Sequence, residues 1–143
     1  MILPDINVLI HAHNVESPLH ERAREWWDAT LAGTEGVGLA WVVTLGFIRI
    51  STHRNILQNP MSPADVCSRI DDWLALPHFH IATPAEDHFQ QLRQQLEQLG
   101  TAGNLTTDAH LATLAIERGY VLHSTDSDFH RFPQLRWKNP LKA

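Results

Sequence analysis

Four short apolar runs recur along the chain: Ile2-Leu3-Pro4, Val37 to Ala40, Phe79 to Ala82 and Tyr120 to His123. Helix-patterned segments separate them. This alternation restricts the fold more than any other feature. Apolar runs of that length, bounded by turn residues, read as buried strands. Strands joined through helices pair side by side in the same direction, because a parallel pair needs a crossover connection. The expected fold is therefore an α/β sandwich with a mostly parallel sheet. In such sheets ligands collect beyond the carboxyl ends of the strands.

The intervening segments carry helix signals. Ile6 to about His13 can be capped by Asp5, and Glu21 to Leu31 places Ala23, Trp26, Trp27 and Leu31 on one side. Trp41 to Ser51 is apolar with no breaker except Gly46 and reads as a buried helix. Ser62-Pro63-Ala64-Asp65 is a helix start: a serine cap, a proline in the first turn and an acid near the positive end of the dipole. Val66, Ile70, Trp73 and Leu74 form its apolar face, and Pro77 stops it. Asp87 to Leu99 is amphipathic, with Phe89, Leu92, Leu96 and Leu99 expected inward and Gly100 as its end. Leu105 to Arg118 is another helix, closed by Gly119, and Leu135-Arg136-Trp137 reads as a short last strand. No linker, repeat or low-complexity tract divides residues 1–143, so one domain is expected.

Composition narrows function. A formal net charge of −5 argues against general binding to a nucleic-acid backbone. One cysteine, Cys67, can form neither an internal disulfide nor a thiolate zinc site, which fits the reducing cytoplasm. The N-terminus has no basic region before an apolar stretch, and no run is long enough to span a membrane. Ten histidines invite a metal reading, but His11-x-His13 and His78-x-His80 lack the spacing that puts two imidazoles on one helical face.

The acids are the chemical signal. Asp5 follows the first strand; Asp126 and Asp128 follow the fourth, in Ser124-Thr125-Asp126-Ser127-Asp128-Phe129. Asp5 can be the N-cap of the next helix or part of a shared pocket, with Asn7 as a turn residue or its hydrogen-bond partner. Asp108 can serve the dipole of its helix, but it shares a face with Ala112, Ala115 and Ile116, which should turn to the sheet. An acid on that face needs a partner. Asp126 and Asp128 can make Asx-turns, or lie on one side of an extended segment; Ser124 and Thr125 can add hydroxyl ligands or fix the carboxylates. Carboxylates that meet repel, so a shared pocket calls for a cation.

Together, Leu-Pro-Asp-Ile-Asn-Val-Leu-Ile at 3–10, Gly-Phe-Ile-Arg at 46–49, Thr-Asp-Ala-His-Leu-Ala at 107–112 and Ser-Thr-Asp-Ser-Asp-Phe at 124–129 resemble PIN-domain ribonucleases, and most of all the VapC toxins of bacterial toxin–antitoxin systems. The resemblance runs through nearly the whole chain. It implies a three-layer α/β/α sandwich around a sheet of about four or five strands. It also implies RNA hydrolysis by water activated on Mg²⁺ or Mn²⁺, a small VapB-like antitoxin partner and a homodimer. Asp5, Asp108 and Asp126 match family acids, and Asp128 matches a further acid often present. The family's second acid, a glutamate just before the Gly-Phe-x-Arg segment, aligns here with Thr44, which offers an oxygen without charge. Arg49, with His53 and Arg54, is open to two roles, a grip on phosphates or an ion pair; Arg131, Arg136 and Lys138 form a second basic cluster that could grip phosphates, within which Arg131 and Lys138 read as solvated surface.

Two rival readings follow. A haloacid-dehalogenase-type phosphatase also puts an aspartate after its first strand, but wants a second acid two residues on, where this chain has Asn7. With Thr44 in place of an acid, the chain can also be a silent PIN module that binds RNA or a partner without cutting.

Overall fold

The computed structural model describes residues 1–142. Five strands form one sheet: β1 (Ile2–Pro4), β2 (Val37–Ala40), β3 (Phe79–Ala82), β4 (Val121–His123) and β5 (Trp137–Lys138). Their order is β3-β2-β1-β4-β5, and every pairing is parallel. Six α-helices connect them: α1 (Ile6–His13), α2 (His20–Ala32), α3 (Trp41–Ser51), α4 (Pro63–Leu74), α5 (His88–Leu99) and α6 (Thr106–Arg118). The path steps outward from β1 through β2 to β3, then jumps back across β1 to β4. Right-handed crossovers in opposite directions lay their helices on opposite faces. Consistent with that, α1 packs on α2 and α3, α3 packs on α4, and α5 packs on α6. The expected sandwich, its parallel sheet and its strand number are as read from the sequence.

The core lies on both faces of the sheet. Leu3, Val37 and Leu122 are fully buried in the strands, and Trp27, Phe47 and Phe129 are fully buried around them. Trp27 meets Trp73 and Phe79 edge-on, so this member of the Trp26-Trp27 pair is a core residue. Fully burying side chains of this size contributes about 1.5–3 kcal/mol each.

Three expectations shift. The helix before the third strand ends at Leu74, short of Pro77, and the last strand is Trp137–Lys138, not Leu135 to Trp137. Phe89 is not inward; it is 72% exposed. At about 100° per residue the inward face of α5 is centred between Leu92 and Gln95, which leaves Phe89 roughly a quarter turn off it. Gln95 takes an inward place and donates from Nε2 to Gln134 Oε1 at 3.1 Å. His88, on the same face, donates from Nδ1 to Glu117 Oε1 at 2.8 Å and meets His110 Nδ1 through Nε2 at 2.8 Å, tying α5 to α6.

The register positions the site. Pro4 pairs with His123, so β1 and β4 end side by side. The residues just beyond them are Asp5 and Ser124, and Asp5 N donates to His123 O at 2.9 Å.

Candidate metal centre

Asp5 is the N-cap of α1. Its Oδ1 accepts the Ile6 N–H at 2.7 Å, which satisfies one of the helix's orphan donors. Its Oδ2 accepts the Ser124 hydroxyl at 2.8 Å and the Asn7 amide at 3.3 Å. The cap role and the pocket role therefore coexist, because the two oxygens divide them.

Ser124 is the hub. It is wholly buried, and its Oγ also accepts Asp126 N at 3.0 Å and lies 3.1 Å from Asn7 Nδ2. Asn7 Oδ1 in turn accepts Thr125 N at 3.2 Å. Asn7 and Ser124 thus bolt the end of β1 to the end of β4 and orient the carboxylates on both. Thr125 contributes its backbone N–H to this clamp. Asp126 Oδ1 accepts Asp128 N at 2.9 Å, which caps the 3-10 turn Ser127–Arg131 and turns Asp128 back beside Asp126.

Asp108 comes from the first turn of α6 and is half-buried. Its carboxylate has no hydrogen-bond partner among the described residues. One oxygen each from Asp108, Asp126 and Asp128 lies within 4.8 Å of the others. Asp5 stands just outside this trio, yet close enough to be felt. Burial first, then the charges of Asp126, Asp5 and Asp128, push the Asp108 carboxyl up to about 6. Burial also raises the Asp5 carboxyl; the hydrogen bonds from Ser124 and Ile6 offset part of that rise, and the charge of Asp126 adds to it.

The donor set suits a hard divalent ion. Oxygens opposite one another across a Mg²⁺ ion stand about 4.2 Å apart, given bonds of about 2.1 Å. The trio is close to that spread and carries the charge that a cation would neutralise.

Two residues aligned with the site stand elsewhere. Thr44 donates its hydroxyl to Ala40 O at 3.0 Å and lines an apolar cavity with Leu39, Ile48, Ile70 and Ile81. No hydrogen bond joins it to the acids among the described residues. At about 100° per residue it lies on nearly the opposite side of α3 from Gly46. Gly46 is what faces α1: a Cβ there would come 2.4 Å from Ile6 Cδ1. No acid occurs between Trp41 and Ser51, so α3 brings no carboxylate to the site. Arg49 is exposed in the last turn of α3 and makes no ion pair among the described residues. The histidine pairs are separate structural groups: His11 meets Ser17, His13 donates to Leu9 O, His78 donates to Thr30 O and His80 meets Tyr120.

Comparison with known proteins gives a consistent picture. The model of the PIN domain matches residues 2–135. Ribonuclease VapC33 of Mycobacterium tuberculosis is 39% identical over 142 residues, which cover 99% of each chain. Ribonuclease VapC37 of the same organism is 39% identical over 140 residues, 98% of this chain and 97% of that one. Among solved structures, FitAB bound to a DNA fragment aligns with a TM-score of 0.70 at 19% identity, over 100% of this chain and 97% of that one. VapBC2 from Rickettsia felis, bound to a promoter fragment, aligns with a TM-score of 0.66 at 21% identity, over 96% and 98%. At those identities the structural matches speak for the fold.

Proposed function

The chain belongs to the PIN-domain family, and on that premise we propose that it is a VapC-type ribonuclease: the toxin of a toxin–antitoxin pair, hydrolysing RNA phosphodiesters with water and Mg²⁺ or Mn²⁺. One observation carries this reading. Acids from positions 108, 126 and 128 meet at the carboxyl edge of the sheet, with Asp5 near enough to act on Asp108, in a chain 39% identical over nearly its full length to proteins named ribonucleases.

Asp108, Asp126 and Asp128 would hold the cation, with Asp5 beside them. A divalent ion bound there supplies Lewis acidity toward water and toward the phosphodiester oxygens. The side chains do the rest. Asp5, fixed by Ser124 and Asn7, adds negative charge that strengthens cation binding without itself having to move. Asp126 and Asp128, locked by their own turn, keep their oxygens aimed at one point. Water adds to phosphorus as the P–O bond to the leaving ribose breaks, so no protein nucleophile is required.

A groove of about 810 Å³ between α2 and α4 suits the antitoxin. Leu31, Met61, Trp73 and Leu76 give it apolar surface, and Asp28, Asp65 and Asp72 outnumber Arg69 along it. An amphipathic segment with basic residues fits such a groove. For the homodimer, the exposed Trp41 and Leu45 on α3 and Ile81 on the edge strand offer a contact face. An RNA substrate and a lone exposed thiol, Cys67, both fit the cytoplasm.

The test uses the purified chain, freed of any bound partner by unfolding and refolding. Single-stranded RNA is cut in Mg²⁺, and cutting stops in EDTA and in Asp126→Asn. Absence of cleavage in all three, with RNA binding retained, would make this a silent binding module. Equal cleavage in EDTA would end the metal reading.

A further inference from the structure

A second cavity, of about 380 Å³, lies away from the acids among α1, α2, α4 and the end of α3. Its walls carry Arg24, Arg69, His20, His13, Ser51 and Asn59, and among the described residues no aspartate or glutamate lines it, in a chain whose net charge is −5. Arg69 makes no ion pair among the described residues; Arg24 has only an exposed contact with Asp28 at 3.4 Å. The cations converge here: Arg69, Arg24 and His20 all act on His13, which burial and their charges hold down to about 4.

Two polar atoms in the same wall lack partners. Ser51 is 1% exposed, and its hydroxyl makes no hydrogen bond among the described residues. His13 Nδ1 is 2.7 Å from Leu9 O; a carbonyl only accepts, so Nδ1 carries the hydrogen and Nε2 of the neutral ring is a bare acceptor. That Nε2 is also buried and unpartnered. Buried polar groups are nearly always satisfied, and an exception calls for a reason. Here the needs are complementary: an unpaired guanidinium on Arg69, with the exposed and loosely paired Arg24 beside it, for an anion; a hydroxyl that gives or takes a bond; and an acceptor that requires an O–H.

We propose that this cavity is a binding site for a ribose phosphate, whose phosphate pairs with Arg24 and Arg69 while a neighbouring sugar hydroxyl donates to His13 Nε2 and Ser51 Oγ completes the set. The volume suits one nucleotide unit. The ligand can arrive as a free nucleotide or as part of an RNA strand. The site is independent of the acidic centre, although α1 links them: Asp5 caps its start, His13 is its last residue, and eight residues rise about 12 Å.

The experiment follows ¹³C-histidine resonances of the full chain as ribose 5-phosphate is added. His13 shifts saturably, and free ribose leaves it still. Arg24→Gln/Arg69→Gln weakens binding about tenfold or more, because each lost charge-assisted bond is one of the stronger kind. Ser51→Ala weakens binding several-fold while the unliganded protein melts no lower, since removing an unsatisfied hydroxyl costs little. This separates a binding role from a packing role. A short RNA, added to Asp108→Asn in EDTA so that it stays intact, identifies the source: movement of the same His13 signal assigns the site to the RNA strand, and movement with ribose 5-phosphate alone assigns it to free nucleotide. No saturable shift with either probe, or unchanged affinity in the double arginine variant, overturns the proposal. Loss of RNA cleavage at the acids would leave this result standing, so the two readings fail separately.

Discussion

Asp108→Asn should stabilise the fold while destroying the site. In the folded chain the Asp108 carboxyl is pushed from 3.8 up to about 6, by burial first and then by Asp126, Asp5 and Asp128. The folded state thus holds this proton more tightly than the unfolded chain, and stability is lost as pH rises from about 4 through about 6. For a fully buried group a rise of that size would correspond to about 3 kcal/mol. Asp108 is half-buried, so solvent screening reduces this to about 1–2 kcal/mol. Asparagine has the same shape and no charge. In EDTA at pH 7.5 the variant should therefore melt about 3–6 °C above the parent. At pH 5 the folded carboxyl is largely protonated but the unfolded one is still ionised, so about half of the gap should remain, and it should close only as pH falls to about 4 and below. Added Mg²⁺ should reverse the order: an ion at about a hundred times its dissociation constant stabilises the parent by about 2.7 kcal/mol, and the variant far less. Thermal melts at two pH values, with and without Mg²⁺, give all four numbers. Equal melting points in EDTA at pH 7.5, or a Mg²⁺ response that survives the substitution, would refute the repulsion on which the site rests.

Other outcomes follow from the same geometry. Ser124→Ala leaves Asp5 Oδ2 and Asp126 N without their shared partner, so urea titration should show a loss of about 1–3 kcal/mol, and cleavage should fall further than stability explains. Gly46→Ala drives a Cβ into Ile6 Cδ1 and should cost about 1–3 kcal/mol, with most of it recovered in Ile6→Val/Gly46→Ala. Mn²⁺ affinity, measured by calorimetry, should drop as pH falls below about 6, because Asp108 must lose its proton to bind. His13 and His123 act in the opposite sense to Asp108: burial lowers each to about 4, so the stability they contribute is present above about 6.5 and is lost as pH falls toward 4. His13→Gln should flatten that acid limb of the melting curve.

The fold was legible because local and global signals agreed. Val37–Ala40 and Phe79–Ala82 are apolar, short and flanked by helices, and no other element fits them. Ser62 and Pro63 mark a helix start by chemistry that acts within one turn, and Ser62 Oγ does accept Asp65 N at 3.1 Å. The meeting of Asp5 with the Asp126 turn was legible through topology, since both follow strand ends. What the sequence hid depends on rotation and on distant neighbours. Phe89 fits a helical stripe but sits off the face that α6 covers. Thr44 occupies a plausible place in a motif but points away from the acids, while the residue that faces α1 is a glycine with no side chain to notice. Ser124 offered a hydroxyl that could ligate an ion or fix the carboxylates; only the pairing of β1 with β4 makes it the joint between two of them. The unpartnered Ser51 and His13 atoms come from different helices, and no spacing announces them.

The most direct test is diffraction at the manganese absorption edge from crystals grown with Mn²⁺. The account requires an anomalous peak among Asp108, Asp126 and Asp128, with carboxylate oxygens at about 2.0–2.6 Å from it and Asp5 adjoining. Manganese bound only elsewhere, or these carboxylates splayed toward solvent with nothing between them, would contradict it.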